Sequence, residues 1–170
     1  GHDHGAYDPH LWLSPGAMLE MLPQLSDALS TAIGADLSAQ RTTLESALTA
    51  LDSEIKEIMS GFTCKLVSGH DEMGYFADRY GCEVIGAIIP SFSTTSEASA
   101  GELADLKAEV ETHGVPAIFT GIGTSPDVAE QLAAELGVKA VTLSTHFLDG
   151  AADYQEFMLR MVNQIAEALG

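Results

Sequence analysis

From Phe62 onward the chain alternates short apolar runs with helix-patterned stretches, and this alternation restricts the fold more than any other feature of the sequence. "CKLVSG" leads into a helical pattern over 71–80, "CEVIGAI" into one over about 100–112, "PAIFTG" into one over 126–136, and "KAVTLS" into one over 153–168. Strands separated by helices in a βαβαβαβα order predict an α/β fold, a four-stranded parallel sheet with helices on both faces. The punctuation agrees: Ser99 and Glu102 have capping-box spacing, Ser125-Pro126 opens the next helix, and Gly81, Gly114 and Gly137 follow helix ends. Upstream, "LSPGAMLEMLPQLSDAL" reads as a short first helix with Ser14 as cap and Pro15 in its first turn. A second, long helix is expected over about 36–59, where Leu37, Leu44, Leu48, Leu51, Ile55 and Ile58 keep one stripe.

A parallel sheet with right-handed crossovers puts every strand's carboxyl end on one edge. His70 follows the strand expected to end near Ser68, and His146 follows the one expected to end near Leu143, so both face the same crevice. "TGIGTSP" leaves its strand on that edge too and is expected to form a wall. His10, in "DPHLWLSP", precedes the first helix, so the sheet alone does not place it; the long helix must fold back, or a second lobe must bring it in. Three neutral imidazoles converging on a crevice suit a transition metal of borderline softness, zinc above all. His113, beside Gly114, reads as a charge partner for a helix C-terminus and stays outside the site. Asp71 and Glu72 read as dipole-compensating residues at a helix start rather than as ligands or bases. His2 and His4 in "GHDHG" are either an appended remnant or the end of a metal-binding tract.

The composition excludes some partners. The 170 residues, 46% of them hydrophobic, suffice for one domain with a proper core, but 7 Lys+Arg against 25 Asp+Glu leave a net charge of −18. That field repels phosphate backbones and anionic membrane surfaces, so nucleic acid is not an expected partner; it raises the local concentration of cations or serves solubility. No apolar run reaches the ~18 residues a membrane-spanning helix needs, and no signal-peptide pattern opens the chain. The expectation is a soluble protein, not itself transmembrane, whose export signal has been removed. Cys64 and Cys82 stand at the starts of two strands. If those strands are parallel neighbours, their Cα atoms lie ~4.8 Å apart, within reach of a disulfide that would indicate a compartment outside the cytosol. Two buried thiols are the alternative.

"DPHLWLSP", "SGHDEMGYFADRYG", "GVPAIFTG", "SPDVAEQLAAELGV" and "DGAADYQEFMLRMVNQIAEAL" together resemble the solute-binding proteins of zinc and manganese ABC importers, over nearly the whole chain. The resemblance implies a bilobal fold with one long rigid linking helix, a metal held between the lobes, a periplasmic or otherwise extracytoplasmic location, and delivery to an ABC permease, with a metallochaperone as a further partner. It implies four ligands in zinc-type members, two of which fall on His10 and His70. On this reading residues 1–35 are the edge of an absent first lobe, 36–60 the linking helix and 61–170 the C-terminal α/β lobe, so that the chain is half of the bilobal fold.

The departures from that pattern bear on the metal. Aligning "TLSTHFL" with the motif that carries the relatives' last ligand, an Asp or Glu, puts His146 at that position, with Asp149 as the alternative one turn away. An imidazole there favours zinc or copper over manganese, and a His at position 70, where manganese members carry Glu, pushes the same way; the expected ion is Zn2+, with Mn2+ disfavoured. With His10, His70 and His146 as the only protein ligands, the site would stay open to water or be completed by another chain. An open three-His zinc also suits a zinc-dependent hydrolase, with Asp71 or Glu72 as base, and a metal-independent acidic interaction module is a third reading. The expected function is zinc capture without catalysis.

Overall fold

A computed structural model describes residues 7–93 and 95–170; His2 and His4 lie outside the described residues. A 3₁₀ turn at Leu11–Leu13 leads into α1 (Pro15–Ile33), which Ser14 caps by accepting a hydrogen bond from the Ala17 amide. Gly34, at φ 68°, takes the left-handed conformation that lets the chain turn back, and α2 (Ser38–Met59) returns against α1. The lobe then runs β1 (Lys65–His70), α3 (Gly74–Tyr80), β2 (Glu83–Ile89), α4 (Ala100–His113), β3 (Ala117–Thr120), α5 (Pro126–Leu136), β4 (Lys139–Thr142) and α6 (Tyr154–Leu169). The expected capping box is present at α4, between Ser99 and Glu102.

Among the described residues all strand pairing is parallel, in two ladders, β1 with β2 and β3 with β4. β1 and β3 lie side by side between them, giving the spatial order β2-β1-β3-β4. They run in one direction: the Lys65 ammonium at the start of β1 donates to the carbonyl of His113, just before β3, while Gly69 near the end of β1 approaches Gly121, just after β3. A Cβ at Gly69 would run into the Thr124 hydroxyl, so only glycine allows this close approach of the two inner strands' ends.

The order reverses between β1 and β3, and right-handed crossovers then place α3 and α5 on opposite faces. The core confirms this, since adjacent strand residues feed different clusters. Leu66 and Phe119 pack with Ile55 of α2, Phe76 of α3 and Met158 and Ile165 of α6. Val67 and Ile118 pack with Val110 of α4 and Leu132 of α5 on the other side. The stripe of α2 is buried only over its C-terminal half, at Leu48, Leu51 and Ile55, and Leu44 is exposed. The crevice at the carboxyl ends of β1 and β3 is where a sheet of this topology binds its ligands.

Asp52 of α2 ties the long helix to α3. It accepts from Arg79 Nε (2.8 Å) and Nη2 (2.6 Å), from the Tyr80 hydroxyl (3.1 Å) and from Lys56 Nζ (2.8 Å). The Arg79 guanidinium holds the Asp52 carboxyl down to about 2, against the desolvation that would raise it. A depressed carboxyl stabilises the fold fully above its ordinary value of 3.8, and that contribution is lost as pH falls toward 2. Urea midpoints at pH 4 and pH 2 are therefore expected to fall further for the wild type than for Asp52→Asn; equal falls would show that Asp52 contributes nothing to acid stability.

A candidate metal centre of three histidines

β1 carries His70 to its last residue, two further than the sequence pattern suggested, and leaves the side chain 0% exposed. The chain before α1 brings His10 to it. Trp12 Nε1 donates to the Thr145 carbonyl (2.8 Å), the Tyr154 hydroxyl donates to the Trp12 carbonyl (2.7 Å), and Leu13 is buried in the core, so the 3₁₀ turn is fastened directly to the lobe. Asp8 orients the ring. Its Oδ1 accepts from the His10 amide (2.9 Å) and lies 2.7 Å from Nδ1. With the proton assigned to Nδ1 by that carboxylate, Nε2 keeps its lone pair and faces His70 Nε2 at 3.3 Å. His146 arrives on the loop after β4, its Nδ1 2.9 Å from the Thr145 hydroxyl.

The three ring centroids are 5.1, 5.3 and 5.6 Å apart, and one nitrogen from each ring lies within 4.8 Å of the others. His10 and His70 are buried, and His146, 18% exposed, marks the side open to solvent. A cleft of about 650 Å³, lined by His146, Asp149, Phe157 and Arg160 among others, opens beside it. Burial, reinforced by the neighbouring His10 and His146, pulls His70 down to about 4; burial and His10 also lower His146. These two rings are therefore neutral at neutral pH, with lone pairs free for a cation. A carboxylate hydrogen-bonded behind one imidazole is the arrangement that fixes the tautomer of zinc-binding histidines.

The structure brings together His10, His70 and His146 and leaves the other candidates out. Asp149 is exposed, at φ 47°, and not in the cluster, its carbonyl accepting from Arg160. His113 ends α4, between Glu83 (3.6 Å) and Glu109 (3.4 Å). The glycine-rich segment after β3 does form a wall, since a Cβ on Gly121 would meet the Leu143 carbonyl and the Thr145 hydroxyl. The reading of Glu72 as a dipole-compensating residue is corrected. α3 starts only at Gly74, with no acidic residue in its first turn, and Glu72 turns inward, 2% exposed. Burial pushes its carboxyl up to about 7, a hydrogen bond from Thr145 working against the shift and the charge of Asp8 adding to it.

The profile of the zinc-uptake complex component A, periplasmic (ZnuA), matches residues 1–168. The chain belongs to the ZnuA family. Among its relatives is the zinc-binding protein AdcA of Streptococcus pyogenes serotype M1, 34% identical over 148 residues that make up 85% of this chain and 28% of AdcA. A zinc-bound variant of AdcAII from Streptococcus pneumoniae superposes with a TM-score of 0.83 at 26% identity, covering 96% of this chain and 61% of that one. The periplasmic zinc-binding protein TroA of Treponema pallidum shares the fold, with a TM-score of 0.80 at 23% identity, over 100% of this chain and 66% of its own. The chain thus spans under a third of AdcA and about two thirds of the solved ZnuA-like structures.

Proposed function

We propose that the chain is the C-terminal, metal-holding lobe of an extracytoplasmic solute-binding protein that captures Zn2+ and hands it to an ABC permease, with His10, His70 and His146 as ligands. The observation that carries the reading is the meeting of three buried or half-buried imidazoles, two of them Nε2 to Nε2 at 3.3 Å, at the point where the strand order reverses. All-nitrogen donors at this spacing favour zinc over manganese, which prefers oxygen. The ion is cargo, so binding must be tight yet reversible, and the half-open flank at His146 offers an entry route.

Two further features support the whole-protein reading, and no helix among the described residues is long and apolar enough to cross a membrane. Cys64 and Cys82 are joined in a disulfide, which suits an oxidising compartment. Leu25, Leu29, Ile33 and Leu44 expose an apolar strip on the α1–α2 hairpin, the surface this reading assigns to the other lobe, with α2 as the linking helix. Anomalous scattering at the zinc edge, on crystals grown with the metal, is expected to give one strong peak within ~2.1 Å of nitrogens from all three rings. A peak elsewhere, or none, overturns the proposal.

A further inference from the structure

We propose that Glu72 supplies a fourth ligand, so that this chain by itself closes a three-imidazole, one-carboxylate zinc site. The inference rests on the reading of the histidine cluster as a zinc site and goes beyond it in completing the donor set. Glu72 Oε2 is buried without a hydrogen-bond partner among the described residues. It lies 3.6 Å from His70 Nε2 and 3.6 Å from His146 Nδ1. Donors bound tetrahedrally at ~2.0–2.1 Å from zinc stand about 3.3 Å from one another. The His10–His70 edge already has that length, and the Glu72 edges to His70 and to His146 need to shorten by only a few tenths of an ångström.

The charge balance points the same way. Burying a carboxylate carries a large desolvation cost unless a cation meets it. No Lys or Arg forms an ion pair with Glu72 among the described residues, and Arg79 and Lys56 are engaged by Asp52. Asp8, behind His10, adds a second negative charge to the same pocket. Glu72 at the metal and Asp8 behind it together neutralise a divalent ion, whereas the metal-free pocket leaves the Glu72 oxygen unpaired. A four-coordinate site filled by protein donors leaves no position for a reactive water, which fits carriage and opposes hydrolysis.

The test is zinc titration of the full chain against a chromophoric chelator, for wild type and Glu72→Gln, with thermal melts of both metal-free proteins. The amide keeps the shape and removes the charge. Glu72→Gln is expected to weaken zinc binding roughly 10²-fold. Its metal-free form is expected to melt at or above the wild-type temperature, because a buried negative charge with no cation beside it has gone. That pairing of opposite signs does not arise from a damaged fold. Zinc affinity within threefold of wild type overturns the assignment while leaving the three-histidine site standing; a wild-type chain that takes up no zinc sinks the site itself. If the variant fails to fold, the zinc-edge map of the wild type decides: a Glu72 oxygen at ~2.0–2.2 Å from the peak supports the proposal, and one beyond ~3 Å overturns it.

Discussion

Replacing His70 with alanine is expected to lower zinc affinity by roughly 10²–10³-fold, the largest effect of any single substitution in this chain. Structural zinc sites bind with about 10–16 kcal/mol shared among four ligands, so one ligand accounts for about 3 kcal/mol, and each 1.4 kcal/mol is about tenfold. His70 is fully buried, with its ring centroid 5.1 and 5.3 Å from those of His10 and His146 and its Nε2 3.6 Å from Glu72 Oε2, so its loss opens the centre of the cluster. The effect reads out as stability as well as affinity. At a zinc concentration 100 times the wild-type Kd, binding adds about 2.7 kcal/mol to the fold; for a variant weakened 100-fold the same concentration adds about 0.4 kcal/mol. The zinc-induced rise in Tm should therefore nearly vanish in His70→Ala. Asp8→Ala, which removes only the carboxylate behind His10, should cost about 10–100-fold. If His70→Ala keeps wild-type affinity, zinc is held elsewhere and the acidic interaction module becomes the better reading.

The contrast between His70 and Glu72 shows what was legible in the sequence. His70 is readable because the alternation of strands and helices fixes the direction of every strand, and direction fixes which ends share an edge. His146 follows by the same rule. His10 is readable only through resemblance, because its place depends on Trp12 bonding to the Thr145 carbonyl, a contact across 133 positions that no local pattern encodes. Glu72 is misread for a related reason. An acidic residue near a helix start is ordinarily solvated, and only the closing of the Gly121 wall and the loop of Thr145 over it takes it out of water. The division of the strands into two ladders also escapes the pattern, since apolar runs record burial and not which neighbour supplies the hydrogen bonds.

Reducing the Cys64–Cys82 disulfide is expected to cost about 3 kcal/mol of stability without abolishing zinc uptake. The bridge joins the residue before β1 to the residue before β2, where the Cys64 carbonyl also accepts from the Glu83 amide at 2.9 Å, and the Cα atoms stand 4.6 Å apart as parallel neighbours should. A link over 18 positions removes chain entropy from the unfolded state worth about 3 kcal/mol in the loop-closure description. For a chain of this size that is a fall in Tm of roughly 6–12 °C. Melts with and without reductant, repeated on the Cys64→Ala/Cys82→Ala double variant, measure it; a change under about 1 kcal/mol would mean that the β1–β2 ladder holds its register unaided. The bridge lies at the amino ends of the strands and the histidines at the carboxyl ends, so zinc stoichiometry should survive reduction while the protein becomes easier to unfold. A fold that keeps its histidine cluster but loses its margin of stability when reduced suits a compartment where thiols are oxidised, as the proposed extracytoplasmic role requires.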